Sequence, residues 1–350
     1  MKIDVKDITL QNDRLWKQIK LTNDQGMTVS FLNFGGIITE IIVPDKVGNK
    51  ENVVLAYKDF EQYLTNPGYL GALIGRVAGR IEGATFELDG ETYNVETNEG
   101  RNNLHGGENG FHNRLWKVDT YQQKETVCAK LTCTSQDGEG GFPGNIEVEV
   151  TYTLNNENQF IIEYAYRTDQ NTPVTLTNHT YFNLGGNAKY MLHSHELMIN
   201  SGKFIELDEQ LIPTGKLLEV DGTSFDFRGF CKLKSGFHRR YQQNKVANGG
   251  YDHYFIFDND KRGIVAVKDA LSGRMLSVET DQPGVVVYTS NNLPEGLKLK
   301  EGKTSKYLGL CLETQGSPAS LHHKELPSIF CKEGEVIRKR TAFRFGLMND

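Results

Sequence analysis

Blocks of positive charge and long apolar runs are both missing from this chain of 350 residues. No stretch is a Lys/Arg-rich block of five or more residues, and the formal net charge is −6 at pH 7. Nucleic-acid-binding surfaces usually need such basic clusters, so the composition argues against a nucleic-acid partner and favours a small neutral ligand. No run of 18 apolar residues occurs, so we expect no membrane span. Residues 1–7 lack the apolar stretch of a secretory signal.

Cysteine is scarce and shows no regular spacing. The count is odd, at five, and no two cysteines have the Cys-x-x-Cys spacing of a redox or zinc motif. Such a set argues against a disulfide framework and predicts reduced thiols in a cytoplasmic protein. The Gly-rich nucleotide-binding loops and the G-x-S-x-G motif are also absent. The five positions are Cys128, Cys133, Cys231, Cys311 and Cys331.

Helical periodicity is missing as well, because no segment keeps an apolar 3.6-residue repeat over three turns. Alternation of apolar and polar residues dominates, with Gly- and Asn-rich turns between the alternating segments. These features predict an all-β fold, a large antiparallel β-sandwich, with residues 1–350 forming a single domain.

Particular strands and turns follow from the same alternation. Residues 146–154 and 160–166 predict one hairpin, and residues 85–88 and 91–95 predict another around Asp89-Gly90, a pair that favours a type I′ turn. Short helices are expected only near 59–64 and 235–244. Further strands are predicted at 36–43, 174–178, 263–267, 285–289 and 308–313.

Two polar residues end strands in surroundings that suggest chemistry. In 174–179, alternation places His179 at the end of a polar face, an unusual position for a core histidine. In 308–313, alternate leucines predict a core face, and Glu313 ends the opposite face after small residues. Burial there would raise the pKa of the carboxyl group towards the range useful for a base. A surface glutamate at a strand end remains the simpler alternative for Glu313.

Five other polar residues lie in segments that suit ligand contact. Arg76 and Arg80 stand among glycines, and a guanidinium group can bind paired hydroxyls or a carboxylate. His105 precedes two glycines, Asp252 lies among aromatic residues, and Gln282 can both donate and accept. The structural alternatives are surface arginines, a histidine that caps a turn and a turn aspartate.

Histidine pairs do not complete a metal site at the sequence level. His193 and His195 would share a strand face, and His322 and His323 are adjacent, but neither pair has a third ligand at a fixed spacing. We therefore expect solvated histidines and no metal.

Taken together, the motifs resemble those of the aldose 1-epimerases, also called galactose mutarotases. They occur in that family's order and span roughly residues 30 to 345. No single motif is specific, but six in order form a strong signature. The motifs are GRVAGRI (75–81), NLHGG (103–107), TNHTYFNL (177–184), DH (252–253), DQPG (281–284) and LETQ (312–315).

The resemblance implies a large β-sandwich of the galactose mutarotase type (a supersandwich) that interconverts the α and β anomers of a free aldose. Glu313 would remove the proton of the C1 hydroxyl as general base, and His179 would protonate the ring oxygen as general acid. Rotation about C1–C2 and reclosure would give the other anomer, without metal or cofactor. His105 would hold or polarise the region around C1 and the ring oxygen. The residues implied to bind the sugar hydroxyls are Arg76, Asp252 and Gln282.

One departure and three alternatives stay open. The family often has Asn where Gly75 or Gly79 stands, which affects the expected sugar preference. A hexose-6-phosphate epimerase would need more basic residues near the pocket, a non-catalytic sugar-binding protein would need no acid–base pair, and a glycoside hydrolase would use two carboxylates, such as those of Glu313 and Asp252. The sequence leaves open whether the protein is a monomer or a homodimer, and which aldose it prefers.

Overall fold

The structure, a computed structural model, describes residues 1–11, 14–258 and 263–348. Strands dominate these residues, and helices are short. The strands are β1 (Lys2–Thr9), β2 (Leu15–Thr22), β3 (Thr28–Leu32), β4 (Ile38–Pro44), β5 (Lys50–Asn52), β6 (Leu73–Ile74), β7 (Arg80–Ile81), β8 (Thr85–Leu88), β9 (Glu91–Asn94), β10 (Asn103–Leu104), β11 (Lys117–Gln123), β12 (Thr126–Ser135), β13 (Ile146–Asn155), β14 (Gln159–Thr168), β15 (Thr172–Pro173), β16 (Thr177–Asn178), β17 (Tyr181–Phe182), β18 (His195–Ile199), β19 (Lys203–Leu207), β20 (Pro213–Glu219), β21 (Cys231–Lys232), β22 (Asp252–Ile256), β23 (Gly263–Asp269), β24 (Arg274–Thr280), β25 (Gly284–Tyr288), β26 (Leu310–Gln315), β27 (Phe330–Cys331) and β28 (Val336–Leu347).

The described helices comprise one α-helix, α1 (Gln242–Val246), and several single turns of 3-10 helix. Within the described residues, no helix has the length and apolar character needed to cross a membrane. The 3-10 turns are Phe60–Leu64, Glu82–Ala84, Phe111–Asn113, Glu139–Gly141, Leu192–Ser194, Leu233–Gly236 and Pro318–Leu321.

Three large antiparallel sheets form the architecture. A five-stranded sheet has the order β1-β2-β3-β4-β5, and a nine-stranded sheet has the order β11-β12-β13-β14-β28-β24-β23-β18-β21. A six-stranded sheet has the order β17-β26-β25-β22-β19-β20. Ile19, Phe31, Val150, Leu312 and Phe343 belong to one buried apolar cluster, so the three sheets share a core. The predicted all-β, antiparallel class is confirmed.

Most of the predicted elements are present. The β13–β14 and β8–β9 hairpins both form, and the second turns at Asp89 and Gly90, whose φ angles are 55° and 86°. The strand predicted at 174–178 is reduced to β16, because its flanking residues pair with separate segments. The helix predicted at 235–244 is instead a 3-10 turn followed by α1, with irregular backbone between them.

A buried arginine ties two of the sheets together. The guanidinium group of Arg274, in β24, donates to the carbonyls of Leu184 at 2.9 Å, Asn49 at 3.1 Å and Pro44 at 3.2 Å. It also pairs with Glu51 Oε2 at 3.0 Å, and only 1% of its surface is exposed. Because its partners lie at β4, β5 and the segment after β17, Arg274 joins the nine-stranded sheet to the five-stranded sheet and to the segment leading from β17.

Replacement of Arg274 by methionine should lower the free energy of unfolding by about 3 kcal/mol, because it leaves buried carbonyls without a donor and Glu51 with one cation fewer. Urea unfolding would measure the loss in free energy of unfolding, provided that the m-value is the same in the wild-type protein and the variant. The matched control is Arg344→Met, since Arg344 pairs with Glu157 on the surface and should contribute far less. Equal losses in the two variants would contradict the role of Arg274.

Candidate active site

One face of the six-stranded sheet forms the floor of a cleft. Along β26, Leu310 and Leu312 point into the main core, so alternation turns Glu313 and Gln315 to the opposite face. The same alternation operates in β22 and β25, whose apolar partners also enter the core. The sheet residues that line the cleft are Tyr181, Leu207, Pro213, Asp252, Tyr254, Val286, Tyr288, Glu313 and Gln315.

Loops close the cleft on its other sides. They flank the short strands β6, β7, β10 and β16, and the segment after β25 contributes as well. Apolar residues of these loops lie beside polar ones, which suits a ligand with both C–H surfaces and hydroxyls. The residues of these loops and short strands that line the cleft include Pro67, Tyr69, Gly79, Arg80, Glu99, Leu104, His105, His179, Asn292 and Leu293.

His179 and Glu313 are brought together by strand register. Tyr181 of β17 lies opposite Cys311 of β26 in an antiparallel pair. Extending that register by two residues places His179 opposite Glu313, and the two side chains meet with Nε2 3.6 Å from Oε1. This distance is too long for a direct hydrogen bond but short enough for a ligand group to bridge. Both residues are buried, with 5% and 3% of their surface exposed.

His105 lies beside this pair with its ring held by backbone groups. Its ring Nδ1 accepts a hydrogen bond from the backbone N–H of Gly79 at 3.1 Å, and the backbone N–H of His105 donates to the Gly79 carbonyl at 3.0 Å. Because the Nδ1 lone pair is occupied, the neutral ring carries its proton on Nε2. Burial lowers the pKa of His105 well below its usual value, and His179 lowers it further. His105 therefore presents a fixed neutral N–H donor.

Burial moves the pKa values of the pair in opposite directions. The pKa of Glu313 is raised well above its usual value by burial and then by the nearby Asp252, while Arg80 opposes the rise. The pKa of His179 is lowered to about 4, chiefly by burial; a hydrogen bond to its own backbone opposes the fall, and His112 adds slightly to it. Both groups are thus neutral over a range of intermediate pH, with one acidic proton on Glu313.

A second group of charges lies in the same cleft. Glu99 accepts from the Arg80 side chain at two points, with distances of 2.6 Å to Nε and 2.8 Å to Nη2. The remaining nitrogen, Nη1, lies 3.9 Å from Asp252 Oδ2. Burial raises the pKa of Asp252, Arg80 opposes the rise and Glu99 adds to it. The guanidinium group is therefore fixed in place with N–H groups left for a ligand.

Two residues predicted to bind hydroxyls lie elsewhere. The guanidinium group of Arg76 is buried and donates to Ser135 Oγ at 3.0 Å, to the Pro143 carbonyl at 2.9 Å and to the Gln136 carbonyl at 2.7 Å, so its donors are used inside the protein. Gln282 is also buried, but it does not line the cleft. It precedes the start of β25 at Gly284, so the alternation that exposes Val286 and Tyr288 to the cleft does not extend to it. Neither Arg76 nor Gln282 lines the cleft, so this placement does not support the hydroxyl contacts predicted for them.

Other cleft residues were missed by the sequence reasoning. Arg80 takes the place expected for Arg76, and the four-residue spacing gave no means of choosing between the two arginines. Gln315 could have been found, because it lies two residues after Glu313 on the same strand face. Nothing in the sequence singled out Glu99 as a cleft residue, since it stands in an ordinary polar loop.

The two glycines that depart from the family pattern differ in position. Gly79 lines the cleft, so a side chain there would border the ligand. Its φ is 86°, and its backbone N–H donates a hydrogen bond to His105. Gly75 lies in the packed interior, where a Cβ atom would approach Phe111 Cδ2 to 2.3 Å and Leu176 Cδ2 to 2.5 Å. Only Gly79 of the two is therefore placed to affect ligand choice.

His105, His179 and Glu313 also form the group of potential metal ligands among the described residues. One ligand atom from each lies within 4.8 Å of the others, and two histidines with a carboxylate are a donor set that zinc accepts. The hydrogen bond from Gly79 opposes such a role, because it leaves His105 with a proton on Nε2 and no free lone pair. The group is better suited to proton transfer and hydrogen bonding than to holding an ion.

Comparison with known proteins identifies the family of the chain. The family model for aldose 1-epimerase matches residues 17–344. Galactose mutarotase from Bos taurus is 39% identical over 334 residues, which cover 95% of this chain and 94% of that protein. Aldose 1-epimerase from Haemophilus influenzae is 38% identical over 313 residues, which cover 89% of each chain.

Solved structures show the same fold. The crystal structure of galactose 1-epimerase from Lactobacillus acidophilus superimposes with a TM-score of 0.88 at 27% identity, covering 99% of both chains. The predicted sandwich of the galactose mutarotase type is therefore confirmed, as is the resemblance of the motifs. The matches place the chain among enzymes that isomerise carbohydrates, and it belongs to the aldose 1-epimerase family.

Proposed function

We propose that the protein interconverts the α and β anomers of free aldohexoses such as D-galactose and D-glucose, with Glu313 as base and His179 as acid. The observation that carries the proposal is the 3.6 Å separation of His179 Nε2 and Glu313 Oε1 in a buried cleft. The hydroxyl oxygen on C1 and the ring oxygen are bonded to the same carbon. One sugar can therefore contact both residues at once.

Ring opening moves two protons and breaks one bond. Glu313 takes the proton of the C1 hydroxyl, the C1–O5 bond breaks to leave an aldehyde, and His179 Nε2 delivers a proton to O5. Rotation about C1–C2 presents the other face of the aldehyde. Closure then reverses both transfers, so no proton is gained or lost over the cycle. A well-placed acid and a well-placed base each accelerate such a step by ~10²–10⁴-fold.

The pKa directions match this cycle. Before opening, the active state has an ionised Glu313 and a protonated His179, and after opening both groups are neutral. The two states contain the same number of protons on the pair. Burial favours neutral groups, in line with the directions in which the pKa values of Glu313 and His179 are shifted. Burial of the pair therefore favours the open-chain state, which is unfavourable for an aldose in water.

The remaining cleft residues supply binding. The fixed Nε2–H of His105 would donate to an oxygen at C1 or to the ring oxygen. Arg80 and Asp252 would bind hydroxyls further from C1, with Arg80 replacing Arg76 in that role. Tyr181 and Tyr288 lie beside the pair, and their rings offer apolar surface to the C–H groups of a sugar.

The charge of the cleft argues against a phosphorylated substrate. Arg80 is the cationic side chain among the described residues that line the cleft, and Glu99 already binds it at two points. Asp252 adds a further carboxylate. A hexose 6-phosphate would therefore meet repulsion and would have to displace Glu99 from Arg80, whereas a neutral hexose would not.

Further proposals concern the state of the protein. The core cluster shared by the three large sheets supports a single domain over residues 1–350. All five cysteines are unpaired, which suits a reducing compartment such as the cytoplasm. The choice between a monomer and a homodimer stays open, as do the preferred aldose and the pathway served.

Freshly dissolved α-D-galactose and α-D-glucose should lose their excess optical rotation faster in proportion to added protein, and should reach the same final value as without it. Polarimetry measures both rates. Glucose 6-phosphate serves as the comparison, and we expect its catalysed rate to be at least ~10-fold lower, because the cleft carries excess negative charge. A faster rate with the phosphate would support the phosphate-specific alternative instead. Release of monosaccharide from a disaccharide would indicate a glycoside hydrolase.

The variant Glu313→Gln should lose at least ~10²-fold in kcat while it still binds galactose, because the amide keeps the shape of a protonated carboxyl group but cannot accept a proton. Polarimetry gives kcat, and calorimetric titration gives the binding constant. Glu163→Gln, an exposed change on β14, is the control and should retain full activity. A near-normal kcat in Glu313→Gln would remove this residue from the mechanism.

The pH profile should depend on Asp252. Activity needs exactly one proton on the His179–Glu313 pair as substrate binds, so the rate falls at high pH when that proton is lost. Asp252 raises the pKa of Glu313, so Asp252→Asn should lower it and move the alkaline limb of kcat/KM to lower pH. Asp119→Asn, an exposed change on β11, should leave the limb in place. If the alkaline limb of kcat/KM is unchanged in Asp252→Asn, then ionisation of Glu313 does not set that limb.

A further inference from the structure

Both ring nitrogens of His179 face side chains of one strand. Nε2 lies 3.6 Å from Glu313 Oε1, and Nδ1 lies 3.5 Å from Cys311 Sγ, within the range of hydrogen bonds to sulfur. Cys311 and Glu313 are two residues apart on β26, so strand alternation places both on the cleft face. Strand β26 thus contacts the imidazole on either side.

The sulfur atom is that of a neutral thiol. Cys311 is fully buried and takes part in no disulfide. Burial raises the pKa of Cys311 well above its usual value, and Glu313 raises it further, so the thiol keeps its proton. A thiol sulfur is a weak acceptor, whereas a thiolate would stabilise the imidazolium ion and raise the pKa of His179. The low pKa of His179 agrees with a neutral partner.

Ring closure sets a requirement on the neutral histidine. To take the O5 proton back, Nε2 must have a free lone pair, so the single proton of the neutral ring must stay on Nδ1. The hydrogen bond made by one ring nitrogen decides which nitrogen carries the proton. An acceptor at Nδ1 therefore keeps Nε2 available for exchange with the sugar.

We propose that Cys311 is a positioning residue whose sulfur accepts the Nδ1–H of His179 in both the closed-ring and open-chain states. Nε2 is then the nitrogen that exchanges a proton with the substrate. This inference rests on the proposed role of His179 as the acid. It also gives the two histidines opposite tautomers: His105 carries its proton on Nε2 as a fixed donor, and His179 carries its proton on Nδ1.

The other neighbours of His179 fix the plane of its ring. The rings of Tyr181 and His105 lie with centroids 5.0 Å and 5.3 Å from that of His179, and those of Tyr69 and Tyr288 lie at 6.0 Å and 6.2 Å. These contacts restrict rotation of the imidazole without selecting which nitrogen carries the proton. That selection is left to the polar atoms at Nδ1 and Nε2.

Nitrogen-15 NMR of protein labelled at histidine tests the tautomer directly, because protonated and bare ring nitrogens have well-separated chemical shifts. His179→Asn assigns the signal among the nine histidines. In the wild-type protein near neutral pH, we expect His179 to carry its proton on Nδ1 and His105 on Nε2. A wild-type His179 with its proton on Nε2 would overturn the proposal, whatever the variants do.

Kinetics of Cys311→Ala and Cys311→Ser give the second test. The alanine variant lacks the sulfur acceptor, so the Nε2–H tautomer should gain population. We expect kcat to fall by ~10-fold, which is part of what a general acid contributes, with KM little changed. Serine keeps an acceptor and should restore both the tautomer and most of the rate. Cys331→Ala, a buried cysteine outside the cleft, is the control for the loss of a core thiol.

The outcomes separate this proposal from the function on which it rests. Wild-type turnover together with an unchanged tautomer and kcat in Cys311→Ala would refute the role of Cys311 alone. Absence of turnover in the wild-type protein would refute the proposed function itself. If Cys311→Ala does not fold, the wild-type spectrum and Cys311→Ser still decide the tautomer.

Discussion

The packing of β26 against the main core controls the arrangement of the site. Leu310 and Leu312 are buried in the cluster that joins the three large sheets, and the strand cannot rotate without exposing them. Alternation then fixes Cys311 and Glu313 on the opposite face, towards the cleft. A one-residue slip would exchange the two sets, so the energy that orders the core also orders the acid–base group.

The same burial determines the electrostatics. Glu313 and His179 lie in a region from which water is largely excluded, and both have pKa values shifted towards the neutral form. Proton transfer between a sugar and such a pair requires little change in total charge within the cleft. The backbone of Gly79 adds a third fixed element by holding His105 in one tautomer. Side chains that would otherwise titrate independently are thus restricted to particular donor and acceptor roles.

Two buried arginines illustrate how cations are used in this fold. Arg274 joins sheets through carbonyl groups and Glu51, and Arg76 holds the loop after β12 through Ser135 and two carbonyls. Arg80 differs, because Glu99 binds one edge of its guanidinium group and leaves Nη1 facing Asp252 and the cleft. The partners that already bind each guanidinium group, rather than the presence of an arginine, separate a scaffold residue from one with a nitrogen facing the cleft.

The all-β class, the main hairpins and the family resemblance followed from the sequence alone. It also marked His179, His105, Asp252 and Glu313 as candidates, and all four line the cleft. Alternation and turn chemistry act between near neighbours, so they can be read from the chain. Only the tertiary structure placed Arg80 rather than Arg76 in the cleft, left Gln282 outside it and revealed Glu99. Those assignments depend on which loops meet across the cleft and on which partner takes each donor. Such contacts join residues far apart in the chain, and local sequence does not encode them.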